Sequence, residues 1–359
     1  MFHLHYAYAK LGTDFYLGGV SARYKSGKAV PPPNYVFWDA TRRCNLHCLH
    51  CGAVKEKYAQ ELTTEQVKNV IDQLAQLKVN MFGATGGEPL LRKDLPEILA
   101  HAHNRGINTG FATNGHFLDE TAAEWIGRAK VKSIQISLDG PEATHNLIRG
   151  NDESFARAVR AIALLRQAGT PIVSVGTTVT RNNVDRLEEL RQVLLGEGVT
   201  LWRLAALMPI GRAQTSDACL SGEQLARLFD YARRSRSRSF NIYFAENLTF
   251  LGPWERRLRR QPLICPIGFT ACCVGVDGWV RGCPEQPDTE ENREGSVLEA
   301  PLAHIWQKGF RRYREREILS TDADCAACSS KNDCFGGCWV MREGGQHCIY
   351  GMLARSASP

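Results

Sequence analysis

The chain has 359 residues and a formal net charge of +6, with 43% hydrophobic and 23% charged residues. This composition excludes a disordered or collagen-like chain, and no run of about 18 apolar residues predicts a membrane span. The mild basic excess does not demand a nucleic-acid partner. The first residues lack the basic and apolar regions of a secretory signal, so we expect a cytoplasmic protein that binds neither nucleic acid nor membrane.

Alternating strand and helix patterns begin near residue 35. Thr63 and Gln66 have capping-box spacing at the start of the first helix, and the apolar residues behind them recur on one helical face. Strands are predicted at 35–38, 81–85, 107–113, 133–138, 171–180 and 200–207, and helices at 63–79, 119–128, 154–167 and 184–195. Six such steps predict an α/β fold with a parallel sheet. The pattern is compatible with an open doubly wound sheet and with a partial barrel.

Composition divides the chain into five parts. They are an N-terminal extension (1–34), a βα region (35–213), a helical bridge (214–264), a cysteine-rich domain (265–350) and a tail (351–359). The bridge carries arginine runs, which predict solvated helix faces, and the scarcity of interleaved aromatic residues argues against a nucleic-acid groove. An acidic protein partner is the alternative interpretation of these runs. The tail from Ala354 onward is expected to be frayed.

Thirteen cysteines are the unusual feature of the composition. An odd number without a secretory signal argues for metal binding rather than disulfides. Cys44, Cys48 and Cys51 follow the first strand, and ligands collect at the carboxyl ends of strands in βα folds. Three thiolates leave one position of a metal centre open. A zinc site completed by His47 or His50, and thiols without a metal, are the alternatives.

A Gly86-Gly87-Glu88-Pro89 segment ends the second strand, where two glycines allow the backbone to approach a ligand closely. Alone, the segment is typical of a tight turn. Together with the three-cysteine motif one strand earlier, it resembles the radical S-adenosylmethionine (SAM) superfamily over residues 35–212. The resemblance implies a partial (β/α)6 barrel of TIM-barrel type, with a [4Fe–4S] cluster on the three cysteines. It also implies that the fourth iron binds SAM and that Gly86–Pro89 receives the SAM amino group.

The resemblance assigns further residues to SAM. Ser137 and Asp139, at the end of the fourth strand, are similar to the segment near the ribose. Arg149 lies in a stretch similar to one whose arginine lies near the SAM carboxylate; an ordinary surface arginine is the alternative. Asn146 stands in that stretch where relatives carry Asp. Thr177 on the fifth strand would line the adenine site. The alternative is that Thr177 belongs to the ordinary barrel core.

The C-terminal cysteines form a second pattern, with Cys325-x2-Cys328-x5-Cys334-x3-Cys338 at its centre. Over residues 265–350 the spacing resembles the SPASM domain of radical SAM enzymes, which implies two auxiliary [4Fe–4S] clusters. The first would be held by Cys265, Cys272, Cys283 and Cys338, with Cys273 the alternative to Cys272, and the second by Cys325, Cys328, Cys334 and Cys348. A zinc ribbon at 325–338 is the local alternative, which leaves the outlying cysteines unexplained.

The resemblance implies an enzyme. An electron from a reduced ferredoxin or flavodoxin would enable the cleavage of SAM to a 5′-deoxyadenosyl radical, which takes a hydrogen atom from the substrate. SPASM relatives mostly modify ribosomally made peptides or proteins and give cross-linked, oxidised or epimerised residues. The N-terminal extension is too short for a leader-binding module, so a separate recognition protein or direct binding is expected. The alternatives are a small-molecule or tetrapyrrole (haem-pathway) enzyme, and a non-catalytic iron–sulfur or zinc-binding protein.

Cys219 stands apart from both cysteine groups, after the sixth strand. By resemblance to peptide epimerases of the superfamily, its thiol would donate a hydrogen atom to a substrate radical. The alternative is a small, half-buried hydrophobe in front of a helix at 220–230, which is a common role for cysteine.

Overall fold

The computed structural model describes residues 2–52, 60–215, 217–343 and 348–356. Its strands are β1 (Tyr35–Thr41), β2 (Met81–Gly86), β3 (Asn108–Thr113), β4 (Ser133–Ser137), β5 (Ile172–Val179), β6 (Leu201–Ala206), β7 (Asn241–Phe244), β8 (Ala271–Val274), β9 (Trp279–Arg281) and β10 (Gly295–Ser296). Its helices are α1 (Phe2–Lys25), α2 (Thr64–Gln76), α3 (Leu95–Asn104), α4 (Glu120–Arg128), α5 (Glu142–Arg149), α6 (Ser154–Gln167), α7 (Leu187–Gly196), α8 (Gly222–Ser235), α9 (Glu255–Leu258), α10 (Leu302–Lys308), α11 (Arg311–Arg314), α12 (Ile318–Thr321), α13 (Ala323–Ala327), α14 (Lys331–Cys334), α15 (Trp339–Glu343) and α16 (Ile349–Ser356). The strands and helices predicted for the βα region are confirmed, with ends that differ by a few residues.

The strands of the described residues form one sheet in the order β10-β9-β8-β1-β2-β3-β4-β5-β6-β7. From β1 to β7 the neighbours are parallel and follow chain order, and β8 adds in parallel to the other side of β1. A doubly wound sheet reverses its strand order at a switch point, whereas this order never reverses. Right-handed crossovers therefore place the helices on one face. The expected partial barrel is confirmed, and the open doubly wound alternative is wrong.

The two faces of the sheet have different environments. On β1 and β2, Val36, Trp38 and Phe82 point towards the helices and are almost completely buried, and the rings of Trp38 and Phe82 stack with centroids 5.7 Å apart. The capping box of Thr63 and Gln66 is confirmed at the start of α2, whose apolar face joins the same core. Alternate strand residues point to the opposite face, which lines the inside of the barrel and which we call the lumen.

The structure differs from the predicted organisation at both edges of the sheet. The helical bridge contains α8 but also β7, which pairs with β6. β8 to β10 extend the other edge, so the cysteine-rich domain continues the barrel sheet. Strands of two to four residues carry too little periodicity to be predicted.

The chain ends also differ from expectation. Most of the N-terminal extension is α1, in which Leu17 and Val20 are buried. Ala354 belongs to α16 rather than to a frayed tail, because Ile349 and Leu353 of that helix are buried; residues 357–359 lie outside the described part. In the described part of the chain, no helix has the length and apolar character needed to cross a bilayer.

Candidate active site

The cysteine loop leaves the carboxyl end of β1 and is fastened to the end of β2. The backbone N–H of Gly87 donates to the Thr41 carbonyl at 2.6 Å, and that of Glu88 donates to the Arg43 carbonyl at 2.8 Å. Gly86 has a φ of +119°, which favours glycine. A Cβ on Gly87 would overlap the carbonyl of Arg43. Glycine at both positions therefore allows the two strand ends to touch.

The Glu88 side chain joins three segments behind this contact. Its buried carboxylate accepts a hydrogen bond from the Thr113 hydroxyl at 2.7 Å and another from the Asn114 N–H at 2.8 Å. Asn114 in turn donates from Nδ2 to Asn45 Oδ1 of the cysteine loop at 2.9 Å. Burial raises the pKa of Glu88, and buried Pro89 opens the short turn that follows. Because the carboxylate is engaged inside the protein, the backbone of the glycine segment is the part available to a ligand.

Asp139 and Arg149 form a buried ion pair beside Cys48. Nε and Nη2 of Arg149 both lie 2.7 Å from Oδ2 of Asp139, and Nη1 lies 3.8 Å from Cys48 Sγ. Arg149 is only 8% exposed, so the surface alternative for this residue is wrong. Burial alone would raise the pKa of Asp139, but Arg149, with His50 and His145 nearby, holds it at about 2. The ionised carboxylate therefore fixes the guanidinium against the cysteine loop.

The surroundings of this loop bear on the zinc alternatives. His50 Nε2 lies 3.8 Å from Asp139 Oδ2, and burial lowers the pKa of His50 to about 4. A zinc ion needs sulfur ligands within about 2.3 Å of one point. Among the described residues, no three cysteine, histidine or carboxylate side chains converge in that way. A four-iron cluster attaches each thiolate to a different iron, so the donor set of the loop fits a cluster better than a single ion.

The remaining residues assigned to SAM divide between the two faces of the sheet. Half-buried Ser137 ends β4 in register with Gly176 of β5. The neighbouring Thr177 points the other way, because its hydroxyl donates to the Leu138 carbonyl at 2.5 Å and accepts from the Trp202 indole at 2.8 Å. Thr177 is 1% exposed, which agrees with the barrel-core alternative and gives the adenine assignment no support.

The segment after β6 covers the cysteine loop. Arg212 donates from Nε to the Cys48 carbonyl at 2.7 Å and from its backbone N–H to the Cys51 carbonyl at 3.1 Å. A Cβ on Gly52 would overlap the Ile210 side chain, so this position favours a residue without one. Sequence reasoning missed Arg212 because no motif marks it; the contact arises from the end of β6 lying over the loop.

Cys265, Cys283 and Cys338 share one space although they are distant in the chain. Burial, the Glu285 carboxylate and the thiols of Cys338 and Cys265 raise the pKa of Cys283. Burial and Cys265 likewise raise the pKa of Cys338. Buried thiols lose their protons readily only beside a positive centre. This group therefore fits the first auxiliary cluster that the SPASM resemblance implies.

Cys272 and Cys273 are adjacent on β8 and point to opposite faces. The register with β1 places Cys272 beside Val36, on the helix side, where it is fully buried in the apolar core. Cys273 therefore faces the lumen side, where its thiol interacts with Arg281. Arg281 precedes Cys283 by two residues and lies opposite Cys273 in the β8–β9 hairpin. The preference for Cys272 as the fourth ligand is not supported by this geometry.

Cys325, Cys328, Cys334 and Cys348 form the second group. Burial, with the thiols of Cys348, Cys325 and Cys328, raises the pKa of Cys334 to about 12. Asp322 accepts from the Cys325 N–H at 2.9 Å and caps α13. The grouping agrees with the second cluster implied by the resemblance. A zinc ribbon at 325–338 would need Cys338 here, whereas the thiol of Cys338 interacts with Cys265.

A polar belt crosses the lumen, made of Tyr35, Arg203, Tyr243, Glu246 and Glu285. Arg203 Nη2 lies 2.6 Å from Glu246 Oε2. Burial alone would lower the pKa of Arg203, but the Glu246 carboxylate reverses this effect, so the pKa is raised. Burial raises the pKa of Tyr35 to about 12, so its phenol is neutral at pH 7. Sequence reasoning missed the belt; within the strands its one signal was Arg203, a single charged residue in the otherwise apolar β6.

Glu285 lies between the cysteine loop and the first auxiliary group. Its Oε2 is 3.2 Å from where a Cβ on Gly52 would stand, next to Cys51, and its charge acts on Cys283. The Glu285 side chain is solvent-exposed, but the protein that surrounds it and the Asp39 carboxylate raise its pKa. Within the described residues, its carboxylate makes no hydrogen bond or ion pair. Glu285 is therefore a lumen group available to a substrate.

Cys219 lies at the carboxyl ends of β5 and β6. Its Sγ is 3.9 Å from the Leu207 carbonyl, and the carbonyl before it accepts from the Arg181 N–H at 2.8 Å. Burial raises the pKa of Cys219, so the thiol is neutral at pH 7. The half-buried side chain agrees with the small-hydrophobe alternative, and its role as a hydrogen donor stays a prediction.

Comparison with known proteins identifies the family. Residues 38–194 match the Radical SAM superfamily. The chain is 30% identical over 323 residues to mycofactocin maturase MftC of Mycolicibacterium smegmatis, covering 88% of this chain and 80% of that protein. It is 29% identical over 331 residues to the AdoMet-dependent heme synthase of Nitratidesulfovibrio vulgaris, covering 86% of this chain and 88% of that protein.

Among solved structures, the fold is similar to that of Streptococcus suis SuiB bound to the precursor peptide SuiA. The TM-score is 0.72 at 16% identity, over 89% of this chain and 74% of SuiB. The architecture, the three-cysteine loop and the sequence relatives agree. The chain therefore belongs to the radical SAM superfamily, and the protein is a radical SAM enzyme.

Proposed function

We propose that this radical SAM enzyme modifies a ribosomally made peptide or protein. Cys44, Cys48 and Cys51 would hold a [4Fe–4S] cluster, which supplies the reductive cleavage of SAM to a 5′-deoxyadenosyl radical. A reduced flavodoxin or ferredoxin would deliver the electron. The substrate would lie in the lumen and lose one hydrogen atom there, giving a cross-linked, oxidised or epimerised product.

The residues around the cysteine loop would position SAM. The guanidinium of Arg149, held by Asp139, lies beside Cys48 and would present positive charge to the SAM carboxylate. The backbone of the Gly86–Gly87 segment at the end of β2 would receive the amino group, and Ser137 at the end of β4, two strands along the sheet, would approach the ribose. A zwitterionic ligand needs both signs of charge within a short distance, and this corner of the barrel offers them.

The charge of the lumen belt is the observation that supports a peptide as the substrate. It contains one arginine against two glutamates, and Arg203 is already paired with Glu246. A haem-pathway tetrapyrrole carries several carboxylates, which would need basic partners in the lumen. Peptide backbone and neutral side chains have no such need, and the two tyrosines offer stacking surfaces. The belt therefore favours a peptide over an anionic macrocycle.

The relatives support this choice only in part. SuiB was solved with a precursor peptide, and the MftC relative is named a maturase, but a heme synthase is almost equally similar in sequence. The tetrapyrrole function therefore stays the second candidate. A separate leader-peptide-binding protein would be a further partner for a peptide substrate.

The cysteine-rich region, 265–350, would carry two auxiliary [4Fe–4S] clusters as a SPASM domain following the barrel at 35–213 and the bridge at 214–264. Cys265, Cys283 and Cys338 would hold the first, with Cys273 as fourth ligand because it faces the lumen side. Cys325, Cys328, Cys334 and Cys348 would hold the second. Such clusters would take up the electron left on an oxidised or cross-linked substrate.

The test is an anaerobic incubation of the reconstituted enzyme with SAM, dithionite and either short peptides encoded beside its gene or iron-coproporphyrin. We expect 5′-deoxyadenosine formation coupled to a mass change of a peptide. The variant with Ala at Cys44, Cys48 and Cys51 is the control, because it should lose SAM cleavage while keeping the auxiliary iron. Turnover of the tetrapyrrole with no peptide product would overturn the proposal in favour of the second candidate.

A further inference from the structure

Arg342 is a buried cation that the proposed function does not use. It lies on α15, which starts directly after Cys338, and its side chain is only 4% exposed. One terminal nitrogen, Nη2, pairs with Asp322 Oδ2. Nε and Nη1 are buried and have no hydrogen-bond partner in the described part of the chain. Burying unsatisfied guanidinium N–H groups is costly, so these donors call for an acceptor.

The free donors lie beside the second cysteine group. The charge of Arg342 acts on the thiols of Cys325 and Cys348. Asp322 connects the same parts, since its Oδ1 accepts from the Cys325 N–H at 2.9 Å while its Oδ2 holds the guanidinium. Asp322 thereby keeps Arg342 at a fixed position against these two cysteines.

We propose that Arg342 donates N–H hydrogen bonds to the sulfur atoms of the second auxiliary cluster and raises the reduction potential of that cluster. The inference rests on the cluster proposed above. A four-thiolate [4Fe–4S] cluster gains negative charge on reduction, and hydrogen bonds and positive charge at its sulfurs favour the reduced state. Arginine suits this role because it stays charged when buried and presents a rigid fork of donors.

The role predicts different effects for different substitutions. Arg342→Gln removes the charge and the fork and should lower the midpoint potential of this cluster. Arg342→Lys keeps the charge but offers a single point donor, so the shift should be smaller. Arg128→Gln is the control, because Arg128 is an exposed cation on α4 of the barrel, where it pairs with Glu124 of the same helix.

The measurement is an anaerobic redox titration of reconstituted holoenzyme, followed by electron paramagnetic resonance. The signal that disappears in a Cys325→Ala, Cys328→Ala variant identifies the second cluster. For Arg342→Gln, we expect the ratio of reduced to oxidised cluster at a fixed potential to fall at least tenfold, which is about 59 mV for one electron. Arg128→Gln should titrate like the wild type.

Three outcomes would overturn the proposal. An unchanged midpoint in a fully iron-loaded Arg342→Gln protein would show that the guanidinium does not act on the cluster. Loss of four irons from both Arg342 variants would show a purely structural role. A wild-type protein that lacks the signal assigned to Cys325 and Cys328 would refute the second cluster itself, while SAM cleavage in that protein would leave the radical SAM chemistry intact.

Discussion

Replacing Asp139 with Asn would leave the Arg149 guanidinium buried without its counter-charge. Two nitrogens of Arg149 lie 2.7 Å from one oxygen of Asp139, and the carboxylate is fully buried. Asn keeps the size of the side chain and one acceptor oxygen, so the substitution removes mainly the charge.

The size of the effect follows from the ionisation of Asp139 and the burial of its partner. A carboxyl whose pKa falls from about 3.9 in the unfolded chain to about 2 contributes roughly 2–3 kcal/mol at neutral pH. That contribution is fully present above about pH 4 and is lost as the pH falls towards 2. Leaving a buried charge unpaired costs about 3–5 kcal/mol in other proteins. We therefore expect Asp139→Asn to destabilise the protein by about 2–5 kcal/mol at pH 7.5.

The assay is anaerobic thermal unfolding of the cluster-loaded protein, in which only midpoints are compared because a multi-cluster protein does not unfold in two states. At about 2 °C per kcal/mol for a large domain, the midpoint should fall by about 4–10 °C. Asp217→Asn is the matched control, since Asp217 pairs with Arg181 at 2.6 Å on the surface and should matter little. Equal midpoints for the two variants would refute the reasoning.

Two further predictions use neighbouring or matched positions. Cys273→Ala should lower the iron content and Cys272→Ala should not, because only Cys273 faces the lumen side. Iron analysis of the two reconstituted variants tests this, and iron loss from the Cys272 variant alone would identify Cys272 as the ligand. Gly87→Ala should weaken SAM binding and destabilise the protein by about 1–3 kcal/mol, since its Cβ would overlap the Arg43 carbonyl. Gly127→Ala, whose Cβ meets open space in α4, should be neutral or stabilising by less than about 1 kcal/mol, as calorimetry would show.

The elements that could be predicted from the sequence are those with a local signal. The strands of the βα region carry long β-branched or apolar runs, and the capping box at Thr63 needs only two side chains three residues apart. The three-cysteine loop could be predicted because thiols within eight residues can reach one centre, whereas the two C-terminal cysteine groups followed from the resemblance. The partial barrel followed from the resemblance, since periodicity alone allowed two topologies.

The features that could not be predicted depend on contacts across the chain. Cys272 and Cys273 are chemically identical in sequence, and only the register of β8 against β1 decides which one faces the lumen side. The burial of Arg149 depends on α5 placing its guanidinium between Asp139, which follows β4, and Cys48 of the distant cysteine loop. The place of Arg203 in the lumen belt could not be predicted, because β7, which pairs with its strand, was not predicted either. Arg342 carried no motif, and its unsatisfied donors exist only in the folded chain.

The pairing of β8 with β1 has a consequence for the synthesis of the protein. Asp39 and its ion-pair partner Arg281 are 242 residues apart. At a synthesis rate of about 5–20 residues per second, Arg281 is added on the order of 10–50 s after Asp39. Throughout this time one edge of β1 is unpaired, and an unpaired strand edge can pair with other chains and aggregate. The first 213 residues are therefore not a unit that closes by itself, and the cysteine loop reaches its final frame only after the C-terminal strands have been made.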